Sequence, residues 1–166
     1  MAEHPTSHKP FQPRSHHILE ESLHDAYRMR AQPKGHATCP DCGAVFHAGR
    51  WQWGEHVRGA EEHLCPACLR IRDKYPAGYV TLSGEFFRTH REEIVNLVHN
   101  EEARERGQHP LQRIMTMQET DGGTEVTTTD IHLARRIGDA IYHAYQGSLE
   151  VRYSPDEYRV RVTWSR

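Results

Sequence analysis

Residues 39–68 read CPDCGAVFHAGRWQWGEHVRGAEEHLCPAC, and this stretch decides how the rest of the chain is organised. It opens and closes on a C-x2-C pair, Cys39 with Cys42 and Cys65 with Cys68, with 22 residues between them. One tight turn per pair aims two thiolates at a common point, and Zn2+ takes four such ligands in a tetrahedron. The intervening segment is long enough to double back as a hairpin, so the spacing predicts a zinc ribbon with one structural Zn2+. Four sulfurs fill the shell and leave no position for water, so hydrolytic zinc chemistry is not expected. Two other readings use the same residues. A pair of redox disulfides requires a C-x-x-C opening a helix in a βαβ setting, which the flanking sequence does not supply. Replacement of one thiolate by His47, His56 or His63 is the other, and the all-cysteine set is preferred because it already closes the site.

Working outward, the 166 residues are only 36% hydrophobic, with a mean hydropathy of -0.83. One large core is not expected from that supply, and a small module needs the metal as a staple. The formal charge is -2, from 21 Lys and Arg against 23 Asp and Glu, which excludes a global positive field drawing the chain onto nucleic acid. Contact with RNA has to come from a local patch. Lysines occur only at Lys9, Lys34 and Lys74, so arginine carries most of the positive charge, either as a genomic bias or for bidentate phosphate recognition. No apolar stretch has the length of a signal peptide or a membrane span, which points to a soluble cytoplasmic protein. In a reducing compartment, paired cysteines read as metal ligands rather than disulfides.

Residues 1–36 are rich in His and Pro, with His4, His8, His16 and His17 among them, and read as a flexible arm. Leu19, Leu23, Ala26 and Tyr27 share a helical face within it, but a weakly ordered tail is the preferred expectation. The zinc module is placed at 37–80, its end marked by turn signals and a short extended piece in YPAGYVTLSG. Phe86, Phe87, His90, Ile94, Leu97 and Val98 form the stripe of a long helix over 81–108, starting at Ser83 or restarting at Thr89, and closed by Gly107 and Pro110.

Residues 109–166 read as a small ββαββ antiparallel-sheet domain, which makes the chain α+β. Two strand-like runs flank Asp121, Gly122 and Gly123. A helix begins near Thr129 or Asp130, carries Ile131, Ala134, Ile137, Ile141 and Tyr145 inward, and closes at Gly147. Two further strands alternate, with Leu149, Val151, Tyr153, Tyr158, Val160, Val162 and Trp164 on one face and Arg152, Arg159 and Arg161 on the other. Three guanidinium groups on an uncovered sheet face make a phosphate-sized platform, although Glu150 and Glu157 nearby suit an ordinary solvated face equally. Other candidates for RNA contact are Arg70, Arg72 and Lys74 after the second cysteine pair, and Arg135 and Arg136 on the helix. Trp51 and Trp53 are candidates for stacking on bases, with a role in the module's own core the preferred alternative. No Gly-rich phosphate loop, nucleophile elbow or carboxylate pair stands out, and no enzyme activity is expected.

Together, CPDCGAVF, GRWQW, YPAGYVTLSGEF, HREEIVNLVHNEE and TTTDIHLARRIGDAI resemble a bacterial family of uncharacterised zinc-ribbon proteins over nearly everything after residue 38. CPDCG with CPAC, and TTTDIHLARRIGDAIYHAYQGSLEVRYS, are more remotely similar to the archaeal and eukaryotic Nmd-type adaptor of the large ribosomal subunit. That resemblance implies contact with ribosomal RNA through Arg135, Arg136 and the zinc module. The adaptor's further cysteine pairs and longer C-terminal region are missing, so export roles are not implied. The expectation is a non-catalytic zinc protein on RNA, foremost the ribosome, acting in translation, assembly or stress. The alternatives are a zinc-ribbon adaptor for protein partners or transcription, and a thiol-based redox sensor.

Overall fold

The computed structural model describes residues 25–166; the candidate features at His4, His8, His16, His17, Leu19 and Leu23 lie outside the described residues. The described chain is a mixed α+β protein with two sheets and five helices. The helices are α1 (Ala26–Arg30), α2 (Pro66–Asp73), α3 (Glu85–Thr89), α4 (Arg91–Gln108) and α5 (Ile131–Tyr145). None is long and apolar enough to cross a membrane.

The smaller sheet is built from very short strands, β1 (Ala37–Thr38), β2 (Val45–His47), β3 (Arg50–Gln52) and β4 (Glu61–Glu62), in the order β3-β2-β1-β4. β2 and β3 form a hairpin across Ala48 and Gly49, both in the left-handed region with φ of 50° and 79°. A two-residue turn of that hand matches the twist of the strands it joins. β4 returns parallel to β1, which brings residues 61–65 back to the start of the module. The second cysteine pair sits on the first turn of α2.

The larger sheet runs β6-β7-β5-β9-β8, from β5 (Gly78–Ser83), β6 (Ile114–Thr120), β7 (Gly123–Thr128), β8 (Ser148–Tyr153) and β9 (Val160–Ser165). Here the structure corrects the ββαββ expectation. Two hairpins do flank α5, but they do not pair with each other. β5, read in the sequence as a short extended piece, is the central strand, antiparallel to β7 and parallel to β9, so the sheet is mixed. Its alternation explains the placement, because Gly78, Val80 and Leu82 are buried while Tyr79, Thr81 and Ser83 are half-buried. An edge strand has no neighbour to cover three such positions; a central one does.

One face of this sheet carries the main core. Val80, Leu82, Val126, Val160, Val162 and Trp164 meet Ile131, Leu133, Ala134, Ile137 and Ile141 of α5, and Ile94 and Val98 of α4. α5 lies close to the sheet because Gly138 has no side chain. A Cβ there would run into the Val162 side chain. Asp130 caps the helix by accepting from the Leu133 amide at 2.9 Å. The expected helix over 81–108 is interrupted at His90, whose φ of -118° breaks it into α3 and α4. Thr89 bonds back to carbonyls of α3 instead of capping α4, and Gly107 lies inside α4 rather than ending it.

The arm expectation also changes from residue 25 onward. Tyr27 and Ala31 are buried. Tyr27 donates to Asp73 at 2.8 Å and stacks on Tyr75. Asp25 and Arg70 form an ion pair at 2.7 Å with their side chains only 8% and 3% exposed. The Arg70 guanidinium also lies 4.3 Å from the Tyr27 ring centroid and donates to the Tyr75 carbonyl. Residues 25–31 are thus fastened onto α2. Removing one partner of a buried pair strands the other charge, so Asp25→Ala should cost roughly 3 to 5 kcal/mol. Urea denaturation measures the loss, and hydrogen exchange should show the amides of α1 deprotected first.

Candidate metal centre and its surroundings

The first cysteine knuckle forms between β1 and β2. The Cys39 amide donates to the Ala44 carbonyl, and the Gly43 amide donates to the Cys39 carbonyl, each at 2.8 Å. Gly43 makes this closure with φ at 77°, a conformation that favours glycine. The second knuckle is the start of α2, with Cys65 at the N-cap, Pro66 in the first turn and Cys68 following. Proline suits that position because its fixed φ is already helical and its missing N–H would have had no partner. The amide-rich end of α2 therefore points toward the sulfurs, which favours thiolate there.

All four sulfurs lie within 4.8 Å of one another, and Cys42 and Cys65 are 3.8 Å apart. A tetrahedron with metal–sulfur bonds of about 2.3 Å has an edge of ~3.8 Å, so the spacing fits one ion of zinc's size. None of the four is in a disulfide. Cys39, Cys65 and Cys68 are buried and Cys42 is half-buried, so solvent reaches the cluster from one side. The Cys65 amide donates to Cys39 Sγ and the Cys68 amide to Cys65 Sγ, each at 3.4 Å. Hydrogen bonds from Cys42, Cys65 and Cys68 hold the Cys39 thiol well below its usual range, while its neighbours Cys39 and Cys42 and its own burial push Cys65 up. Sulfur binds such an ion as thiolate, so metal uptake is coupled to proton release. Four sulfur donors at this spacing can hold one metal ion such as zinc. His47, His56 and His63 are outside the cluster, and His47 instead stacks on His36.

The structure adds a residue that sequence reading missed. Arg113 precedes β6, in the larger unit, yet its Nη2 donates to Cys68 Sγ at 3.1 Å and to Cys65 Sγ at 3.5 Å. It is 6% exposed. Burial works against its charge, but the Cys68 sulfur, with Cys65 and Cys42 beyond, more than restores it, so its pKa stands above the usual guanidinium value. Its backbone is fixed as well, with the Arg113 amide donating to Thr129 Oγ1 and the Thr129 amide donating back to the Arg113 carbonyl. A Zn2+ with four thiolates carries a net charge of about -2, and an adjacent buried cation offsets part of it. No local motif marks Arg113; a lone arginine between Gln112 and Ile114 gives no signal of a partner 45 residues away.

The proposed RNA-contact residues are dispersed. Arg70 is sequestered by Asp25 and is not a surface group. Arg72 pairs with Asp41 through two bonds, and Lys74 is an exposed, left-handed C-cap of α2. Arg135 is held by Asp139 and Tyr153, and Arg136 reaches Glu105 at 3.4 Å. Arg159 pairs with Glu157, while Arg152 pairs with Glu150 and remains 75% exposed. Arg161 has no ion pair among the described residues and lies 4.5 Å from the centroid of Tyr79. The tryptophans part company. Trp51 is buried against Phe46 with its indole N–H donating to the Ala31 carbonyl, whereas Trp53 lies beyond β3, 37% exposed, and donates to the Arg106 carbonyl of α4. Both anchor one part of the chain to another.

The site and fold define a mixed α+β protein with a four-cysteine metal centre. No known protein family matches the sequence, and no curated protein or solved structure is similar to it. Two outcomes follow from the geometry. Native mass spectrometry should find one metal ion per chain, lost in Cys65→Ser. Arg113→Met should leave the sulfurs in place but speed extraction of the ion by a chelator, by roughly 10- to 100-fold, as removal of outer-shell partners does elsewhere.

Proposed function

We propose that this is a non-catalytic zinc protein that associates with RNA, foremost with the large ribosomal subunit, as a translation, assembly or stress factor. The zinc ion is structural in this reading, since four protein sulfurs complete its shell. The support for an RNA partner is the face of the larger sheet turned away from α4 and α5. Register places Arg152 opposite Arg161, Arg161 beside Tyr79, Tyr79 beside Thr127 and Thr127 beside Thr116, in one row across all five strands.

Arg152 opposite Arg161 is the observation that carries the proposal. Like charges directly across a strand pair are destabilising, and here they stand on an exposed surface with only Glu150 as a nearby counter-charge on β8. A phosphodiester backbone relieves that repulsion, and guanidinium groups flanking Tyr79 supply planar donors and an aromatic ring together. The row avoids the helix that the resemblance to the ribosomal adaptor pointed to, where Arg135 and Arg136 are engaged with carboxylates; on the row Arg152 is likewise paired with Glu150, while Arg161 has no ion pair among the described residues.

Sedimentation of tagged protein through sucrose gradients tests the partner. Cosedimentation with large subunits at low salt, reduced at high salt, is expected; absence from ribosomal fractions during both growth and starvation would count against the proposal. Arg152→Ala with Arg161→Ala should lower the slope of log affinity against log salt by roughly 1.5 to 2, one phosphate contact per residue removed. Zinc content should not change.

A further inference from the structure

Among the described residues the five-stranded sheet ends on two outer strands, β6 and β8, and the two edges are built differently. An exposed edge is a template for pairing with another chain, and proteins blunt it with a bulge, a proline or charged side chains. β6 is blunted in this way. Its register shifts between Ile114 and Thr116, and its Glu119 is held by Arg91 of α4 at 2.8 Å. β8 is regular: SLEVRY pairs with β9 at every residue without a shift and contains neither lysine nor proline. Its only charges are Glu150 and Arg152, of opposite sign and two residues apart.

The hydrogen-bond phase of β8 fixes which of its backbone groups look outward. The Ser154 amide donates to the Arg159 carbonyl, so Arg152, Glu150 and Ser148, each two residues further back, are the positions bonded to β9. The Val160 amide agrees, since it points the other way and donates to the Ala77 carbonyl. The N–H and C=O of Leu149 and Val151 therefore face the outer edge. Their side chains lie on the α5 side of the sheet, packed against the core yet only half-buried, and Tyr153 beyond them is 37% exposed. Glu150 and Arg152 stand on the opposite face.

We propose that β8 pairs antiparallel with β8 of a second copy of this chain, about a two-fold axis at Val151, joining the two sheets edge to edge. In that register Val151 meets Val151 through the outward backbone groups, Leu149 meets Tyr153 of the second copy, and Glu150 meets Arg152 of the second copy on both sides of the axis. Glu150 and Arg152 fall at the non-bonded positions of the new pair, where facing Cα atoms are closest, about 4.5 Å apart. The neighbouring registers with the same hydrogen-bond phase set Glu150 against Glu150, or Arg152 against Arg152, and like charges directly opposite are destabilising. The order of charges thus favours one register, the one that also aligns the whole strand, and it is this self-complementarity that assigns the edge to a second copy. Such a contact uses the same patch on both copies and closes at a dimer. The inference does not rest on the RNA reading, and Arg161, one strand inward, is not part of the contact.

Sedimentation velocity of the full zinc-loaded chain, without nucleic acid and from micromolar to millimolar concentration, tests the pairing. The mass should rise from 19.3 kDa to twice that value as concentration increases. Glu150→Arg alone, or Arg152→Glu alone, should weaken the dimer by roughly ten- to hundredfold, since two attractive contacts become repulsive. Glu150→Arg combined with Arg152→Glu should restore it, a rescue that a folding defect would not give. In the unsubstituted protein, hydrogen exchange followed by NMR should show the Leu149 and Val151 amides gaining protection as concentration rises, with exchange along β6 unchanged. A monomer at every concentration overturns the proposal, as does a dimer indifferent to the charge reversals. Equal protection of Leu149 and Val151 in the dilute monomer also overturns it, because another part of the same chain then covers the edge. None of these readouts involves RNA, so absence from ribosomal fractions leaves a positive result standing.

Discussion

The guanidinium of Arg113 against the sulfurs of Cys65 and Cys68 is the contact on which the arrangement of this molecule depends. A four-thiolate centre has more negative charge than a divalent ion cancels, and a buried arginine has more positive charge than a protein interior tolerates alone. Each makes the other affordable in free-energy terms, and they come from different units of the chain. The metal centre is therefore not a bead on a string. Its outer shell is part of the larger unit.

Around that contact, a chain with few apolar residues manages two small cores instead of one large one. The core around the cysteines contains only Ala37, Ala44, Phe46, Trp51 and Ala67 besides them, and binding of a structural zinc ion is worth on the order of 10 to 16 kcal/mol in small zinc peptides. The second lies between the five-stranded sheet and α4 with α5. Polar ties join segments where apolar contacts are scarce: Trp53 to Arg106 between the units, Trp51 to Ala31 within the smaller one, and the Ile114 amide to Glu102 at 2.8 Å within the larger. Indole groups serve well here, since each combines a large apolar body with one donor that a backbone carbonyl can satisfy.

This arrangement sorts arginines that the sequence could not tell apart. Arg70 and Arg113 are structural cations, each set against an anion that arrives from far along the chain. Arg135, Arg136, Arg152 and Arg159 are tied to carboxylates, and Arg28, Arg50 and Arg161 have none among the described residues. Spacing along a helix or strand says which side chains share a face. It does not say which face meets another element, and that decides whether a guanidinium is a strut or a contact.

The local pattern of the sequence determined the thiolate pairs, the capped helix from Asp130, and the alternation of the strands around it, because each depends on residues within one or two turns of each other. Only the tertiary structure decided that Gly78–Ser83 is the central strand, that residues 25–31 dock on α2, and that Arg113 completes the metal centre. Those are long-range pairings, in which a β strand or a buried charge finds a partner dozens of residues away. What selects such a partner is burial and charge compensation in the folded molecule, and neither leaves a period or a motif in the linear chain.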